Sequence, residues 1–295
     1  MEKKFLNQEL EVAQAGADVK EGSRGSRIGK IITTTVFSFS ILLAIFAISF
    51  VIIFFISDVY GSSMMVTLNA SFVQDLAPDH PNQTHDSVLV NKFKKPKPGD
   101  IIVVKHYWAT PRYDRNGSLV KMEYFIKRLI ATEGQRVRFE RELVGEGVII
   151  SDSYTPYRYK LFVDDIEVDE YYLDIDGGWG IMAFYGDNIY EYIYTGGRKH
   201  SAGTLIPFKD SIKDHPTLEG VKEIVIGPGE IFYMGDNRGS DNWGRFALHS
   251  YDCTSFGPQQ ASYIEGVRVD TIPHNQSFPG YLWSKFKWFF SFKWI

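Results

Sequence analysis

The sequence predicts a mainly β protein: a single N-terminal transmembrane helix followed by an extracytoplasmic antiparallel β domain that carries an inserted subdomain. Three observations lead there. An uncharged apolar run fills Ile31 to Ile56. Behind it, short runs rich in β-branched and aromatic residues alternate with Gly, Pro and Asn turn signals, and no convincing amphipathic helix interrupts them. Aromatic residues make up 15% of the 295-residue chain, a share that suits a β-rich or membrane-touching protein.

Residues 1–30 are polar and mixed in charge, which predicts a loose tail. The run IITTTVFSFSILLAIFAISFVIIFFI, residues 31–56, is long enough at ~1.5 Å rise per residue to cross a ~30 Å hydrocarbon core with some tilt. Ser57-Asp58-Val59-Tyr60 behind it is a poor cleavage site, so the run reads as an uncleaved anchor. Lys20, Arg24, Arg27 and Lys30 precede it; no Lys or Arg follows until Lys92, while Asp58, Asp75, Asp79 and Asp86 do. The positive-inside rule puts the tail in the cytoplasm and the rest of the chain outside.

The first strand signals are Ser87–Asn91, Asp100–Val104, Tyr124–Ile130 and Arg136–Phe139. Turn signals separate them: Lys97-Pro-Gly-Asp100, Asn116-Gly117, Glu133-Gly134 and, later, Gly227-Pro-Gly-Glu230. The stretch 140–222 changes character, with many Tyr, Asp and Gly residues such as Asp176-Gly-Gly-Trp-Gly180; it reads as an insert, leaving 57–139 and 223–278 as the main β domain. Residues 279–295, PGYLWSKFKWFFSFKWI, interleave aromatic rings with Lys285, Lys287 and Lys293. They are too short and too charged to span. Two readings fit: a tail at the lipid headgroup boundary, or a core strand or helix packed on the domain.

Composition excludes several functions. A net charge of -4 lacks the basic footprint of a nucleic-acid binder. The single cysteine, Cys253, rules out an internal disulfide framework and a Cys-cluster zinc site. His80 and His85 lack metal-site spacing and read as polar loop residues, so no metal or cofactor is called for. Asn-x-Ser/Thr triplets at Asn69, Asn82, Asn116 and Asn275 carry no assigned function.

The candidate chemistry starts at Gly61-Ser-Ser-Met-Met-Val-Thr-Leu68, a few residues beyond the apolar run. Ser63 is the candidate nucleophile, and a serine hydroxyl needs a base. No GxSxG elbow surrounds any serine. A lysine serves only if its amine is neutral, hence desolvated. Lys127 meets that demand: strand alternation puts Phe125, Lys127 and Leu129 on one face. The residues alone leave a second reading open, a strand lysine at a sheet edge or one that snorkels.

The same segments resemble the bacterial type I signal peptidases. That family's first motif is close to G-x-S-M-x-P-T-L, matched by Gly61–Leu68. Its next elements resemble D-x-V-L-V-N-K and P-x-x-G-D-I-V-V, matched by Asp86–Lys92 and Pro96–Val104. The lysine motif, like Y-I-K-R-V-x-G-x-P-G-D, corresponds to Tyr124–Gln135. A fourth, like P-x-G-x-Y-F-x-M-G-D-N-R, corresponds to Pro228–Arg238, and S-x-D-S-R-x-W-G to Ser250–Gly257. The resemblance implies a signal-peptidase-type β domain in which Ser63 attacks the scissile carbonyl and Lys127 is the general base. It implies that Ser250 orients the lysine, and that Arg128 and Asp236 pair near the site. Gly61 stands where some members carry a serine oxyanion donor, so the second donor is open. The Met64-Met65 pair is expected to supply flexible apolar lining, with at least one of the two packing under the sheet instead; Asp252 matches an aspartate paired with an arginine.

Departures are Val66 for the proline, Ala131 and Gln135 for Gly and Asp, Thr254 for the arginine expected to pair with Asp252, and a long spacer, Gly239 to His249, before Ser250. If that spacer is displaced, Ser240 is the alternative orienting serine. The implied partners are preprotein signal peptides, membrane lipid and the protein-export machinery, at the bacterial cytoplasmic membrane. Cleavage after small residues of Ala-x-Ala type is expected. Two rival readings are a decayed membrane-tethered binding domain and a dedicated processor of one precursor.

Overall fold

A computed structural model describes residues 2–61, 63–65, 67–69, 84–113, 117–143, 157–173, 211–238 and 252–291. The chain forms two compact units, 1–53 and 54–295. The first is one helix, α1 (Glu2–Ile53). Its Arg27–Ile53 part is long and apolar enough to cross a membrane, and none of its most apolar window is buried. Two expectations change here. The polar N-terminal residues are helical rather than loose, in keeping with their many Glu, Lys, Gln, Leu and Ala residues. The apolar run also stops being helix at Ile53: Phe54–Asp58 is strand β1. It pairs antiparallel with β2 (Ser87–Asn91), from Phe54 opposite Asn91 to Asp58 opposite Ser87. A short apolar run looks the same in sequence whether it extends a helix or starts a strand.

The second unit is mainly β, as the sequence predicts. The further strands are β3 (Ile101–Tyr113), β4 (Leu119–Thr132), β5 (Arg136–Leu143), β6 (Tyr157–Val163), β7 (Ile166–Glu167), β8 (Ile212–Asp214), β9 (Lys222–Val225), β10 (Glu230–Met234), β11 (Gln259–Gln260) and β12 (Ile264–Ile272). Among the described residues they form a seven-stranded sheet, β1-β2-β12-β3-β4-β10-β11, and a five-stranded sheet, β7-β6-β5-β9-β8. Every pairing is antiparallel. The turn Thr132–Gln135 links β4 to β5 and so passes the chain between sheets; Gly134 N–H donates to Ile226 O at 2.9 Å.

The larger core gathers side chains from both sheets: Ile102, Val104 and Leu129 from one, Phe139, Leu161 and Ile224 from the other. A second cluster covers the opposite face of the first sheet, with Val59, Met64, Leu68, Val88, Val90, Ile101, Val103 and Ile126. The unbroken run Ile-Ile-Val-Val in β3 follows from this. Alternate residues serve different cores, so no position is polar. Full burial of each such side chain contributes roughly 1.5–3 kcal/mol.

The described parts of the stretch 140–222 pair with the main domain. β6 lies on β5, and β8 lies on β9. The boundaries read from composition, at 140 and 222, fall inside β5 and at the first residue of β9.

Among the described residues of the second unit there are also the single α-helical turn α2 (Cys253–Phe256) and the helix α3 (Phe278–Ser291), the latter within the tail for which a helix packed on the domain is one of two expectations. In α3 the aromatic and lysine residues alternate too closely to show a clear apolar stripe. Pro279 sits in its first turn, where a missing N–H costs nothing. Buried Tyr281 anchors it, donating its hydroxyl to Asp270 Oδ2 at 2.6 Å, and Lys285 pairs with the same carboxylate at 2.7 Å. Leu282 and Trp283 are exposed.

Gly266, in β12 of the seven-stranded sheet, lies close against β2. A Cβ there would lie 2.7 Å from Asn91 O and 2.7 Å from Val90 Cγ1. Gly266→Ala is therefore expected to destabilise the domain by about 1–3 kcal/mol, the cost of overpacking. Urea melts of the full chain check this; an unchanged midpoint would contradict it.

Candidate active site

The segment Val59–Asn69 is held by packing from below and hydrogen bonds from the side. Met64 and Leu68 drop into the second core cluster, and Leu68 N–H closes a turn on Met64 O at 2.9 Å. Gly61 has φ +83°, a left-handed conformation that strains any side-chain-bearing residue. A serine donor at this position would have to adopt that backbone. Ser63 O accepts from Asn237 N–H at 3.1 Å, which ties the Ser63 loop to the chain leaving β10.

Asn69 closes the loop at its base. Its Nδ2 donates to Val59 O at 2.5 Å and Gly61 O at 3.2 Å. Its Oδ1 accepts from Asp86 N–H at 2.7 Å, while its own N–H donates to Asp86 Oδ2 at 2.7 Å. Asn69 is 1% exposed with φ 57°, a region asparagine tolerates. In sequence it appears only as an Asn-x-Ser triplet; nothing there marks it as the clasp of the loop.

Lys127 comes from β4 and is buried, at 3% exposure. Its face is the expected one: Phe125 and Leu129 pack with the larger core, while Ile126 packs with the smaller. The Nζ donates to Ser63 Oγ at 2.6 Å and to Ile126 O at 3.1 Å, and lies 5.5 Å from the centre of the Phe125 ring. Burial lowers the amine pKa to about 8, against the opposing pull of Asp252 and Asp236. Desolvation disfavours the ammonium; the two carboxylates limit the fall.

Behind the amine stands a buried fork. Arg128 Nε donates to Asp236 Oδ1 at 2.8 Å and its Nη2 to Oδ2 at 2.5 Å. Thr67 Oγ1 donates to the same Oδ2 at 2.5 Å, and Arg128 Nη1 to Gly99 O at 2.8 Å. The fork sits where β10 leaves β4. Met234 opposite Arg128 is the last ladder pair, just past a bulge at Phe232/Tyr233. Bulges of this kind re-aim a strand end. Here the bulge releases Gly235–Arg238 beside Lys127.

Asp252 accepts Gly235 N–H at 2.9 Å and caps α2 through Thr254 N–H at 2.9 Å and Thr254 Oγ1 at 2.6 Å. Thr254, which replaces the expected arginine, thus still bonds the aspartate. Ser250, its alternative Ser240, and Val66 lie outside the described residues. Among the described residues, no group of three or more His, Cys, Asp or Glu side chains is placed to hold a metal ion. Besides Asn69, sequence reasoning did not single out Thr67 or Asn237; both lie inside quoted motifs but have no chemistry of their own to draw notice.

A family model described as "Signal peptidase, peptidase S26" matches residues 32–270, a span that takes in the apolar run, Ser63, Lys127 and the Gly235–Arg238 segment. The chain belongs to this family. A search of curated proteins returns no match. Membership of the signal peptidase family makes the chain a serine peptidase and supports signal-peptidase activity in general. Signal peptides of preproteins are the substrate class that goes with it.

Asn69→Ala should leave the Val59 and Gly61 carbonyls and the Asp86 N–H short of their partners. A destabilisation of about 1–3 kcal/mol is expected, with faster hydrogen exchange at the Asp86 amide. Unchanged exchange there would contradict the clasp.

Proposed function

We propose that the chain is a membrane-bound serine endopeptidase that cleaves signal peptides from exported preproteins through a Ser63/Lys127 dyad. The observation that carries this reading is the 2.6 Å contact between a buried Lys127 amine and the Ser63 hydroxyl. A neutral amine at that distance can take the serine proton as Oγ attacks the carbonyl carbon of the scissile peptide. The Ser63 N–H is one donor to the developing oxyanion. Lys127, now an ammonium, gives its proton to the leaving amine nitrogen, and an ester remains on Ser63. Lys127 then takes a proton from water as the water oxygen attacks the ester. The acyl group leaves as a carboxylic acid and Oγ regains its proton.

Location supports the same reading. The Arg27–Ile53 helix can cross a bilayer, and the flanking charges favour a cytoplasmic N-terminus. Ser63 follows a few residues later, where a membrane-held signal peptide ends. The precursor strand lies along β4 beyond the point where β10 stops at Arg128, adding a strand to the sheet. Small pockets there select the alanine-like residues of an Ala-x-Ala site. Exposed Leu282 and Trp283 beside Lys285 suit α3 to the headgroup boundary. The export machinery is the natural source of precursor. The intact dyad contact weighs against a decayed binding domain.

Cleavage of one preprotein with an Ala-x-Ala site, in detergent, tests the assignment. Ser63→Ala and Lys127→Ala should each lower the rate by on the order of 10³-fold or more. Cleavage surviving Ser63→Ala would mean another nucleophile. The pH dependence follows from the base's state. With the amine pKa near 8, the ammonium dominates below that value and the rate falls as pH drops through it. On a chemistry-limited substrate, a profile that stays flat between about pH 6 and about pH 9 would contradict a lysine base.

A further inference from the structure

The stretch 140–222 has no chemistry that its sequence announces, yet a short segment of it reaches the back of the site. Val168–Leu173 follows β7 and is tied to the second sheet by Val168 N–H, which donates to Leu161 O at 2.8 Å. Leu173 N–H closes a turn on Glu170 O at 2.9 Å. Two side chains project from this turn toward the Arg128–Asp236 fork.

Glu170 is buried and forms an ion pair with Nη2 of Arg238, which is also buried. Tyr172 lays its ring against Arg128, 3.7 Å from guanidinium carbon to ring centre. The Tyr172 hydroxyl donates to Glu170 Oε1 at 3.0 Å and accepts from Arg238 Nη2 at 3.4 Å. Burial raises the Tyr172 pKa, against the opposing pull of the Arg238 and Arg128 cations, so the phenol stays protonated and keeps donating. Arg238 Nε in turn donates to Gly235 O at 2.7 Å. One turn of the insert therefore grips an arginine on each side of Gly235-Asp236-Asn237. That tripeptide holds Arg128 through Asp236 and Ser63 O through the Asn237 N–H.

We infer that Glu170 and Tyr172 are positioning residues for the peptidase site: they clamp Arg238 and Arg128 and so fix Asp236 and Asn237 against the Ser63/Lys127 pair. The inference rests on the dyad reading above. Neither residue touches the reacting atoms; both act through the arginines. A buried ion pair is a costly way to gain stability, and breaking one leaves an unpaired charge in a dry setting. Its use here is geometric. Arg128 and Arg238 approach Asp236 from two elements, β4 and the chain after β10, and the insert supplies the third wall.

The clamp has an electrical signature with a definite sign. Lys127 faces Asp252 and Asp236, both of which favour its ammonium. Around these carboxylates stand Arg128, Arg238 and Arg268. Glu170 compensates Arg238. With Glu170 neutralised, the Arg238 cation offsets Asp236 and Asp252 more fully. The ammonium of Lys127 is then less favoured, and the acid limb of activity moves to lower pH. A loss of packing alone moves no limb in that direction.

The experiment is kcat and KM against pH for the full-length protein in detergent, with one Ala-x-Ala preprotein. The variants are Glu170→Gln, Tyr172→Leu, Tyr172→Phe, Glu167→Gln and Ser63→Ala. Glu167 is exposed, ends β7 just before this segment and pairs at the surface with Lys160, 3.7 Å away, so Glu167→Gln is expected to match wild type. Glu170→Gln and Tyr172→Leu should lower kcat by on the order of 10-fold, with KM little changed. Glu170→Gln should also shift the acid limb downward. Tyr172→Phe keeps the stacked ring and should lose less than Tyr172→Leu. Near-UV circular dichroism gives the folded fraction of each. Profiles for Glu170→Gln and Tyr172→Leu that superimpose on wild type would overturn the inference. So would a rate that falls only with the folded fraction while the limb stays put. Activity surviving Ser63→Ala would instead overturn the dyad reading, and the inference with it.

Discussion

The structure depends on one constraint: a lysine amine must be kept dry while a serine hydroxyl is held against it. An exposed lysine is protonated at neutral pH and useless as a base. In the proposed role Lys127 comes closer to neutrality because β4 is central to both cores, although its ammonium still dominates below pH about 8. Leu129, two residues on, enters the larger core, and its neighbour Ile126 enters the smaller. The amine between them has Ser63, a backbone carbonyl and an aromatic ring for company. Two carboxylates limit how far desolvation lowers its pKa, to about 8, near the pH at which a base is most useful. Burial and nearby negative charge are balanced, not maximised.

The rest of the second unit maintains that balance. The Ser63 loop is seated by Met64 and Leu68, clasped by Asn69 and bridged to β10 through Asn237. Asp236 is not left free to bond the amine directly. Arg128 and Thr67 occupy its oxygens, so it acts on Lys127 only at a distance. Asp252 is likewise engaged by Gly235 and Thr254. Occupying each carboxylate elsewhere is what lets two acidic groups stand near Lys127 without turning it into an ordinary ion-paired lysine.

Much of this was legible in the sequence, and the reasons are specific. β2, β3, β4 and β5 show as β-branched runs because their faces are buried in a regular pattern. Ser63 and Lys127 stand out because a Gly-Ser-Ser-Met-Met stretch just beyond an apolar span and a lysine among apolar residues are both unusual. The end of α1 was not legible, because Phe54–Asp58 has the composition of the run it follows; only pairing with β2 makes it a strand. α3 was hidden by aromatic and lysine residues too closely alternated to show helical periodicity. Asn69 and Glu170 could not be found at all. Their partners, Val59 and Gly61 carbonyls in one case and Arg238 in the other, are set by tertiary folding.

A direct titration of Lys127 tests the account at its centre. Isotope-edited NMR of the labelled-lysine protein in detergent, with Lys127→Arg to assign the resonance, reads the amine itself without any substrate. Lys127 is expected to titrate with a midpoint near 8. A midpoint at the ordinary lysine value of about 10.4 would mean the amine is charged at working pH, and the short contact with Ser63 would then be a structural bond between a cation and a hydroxyl rather than a poised base.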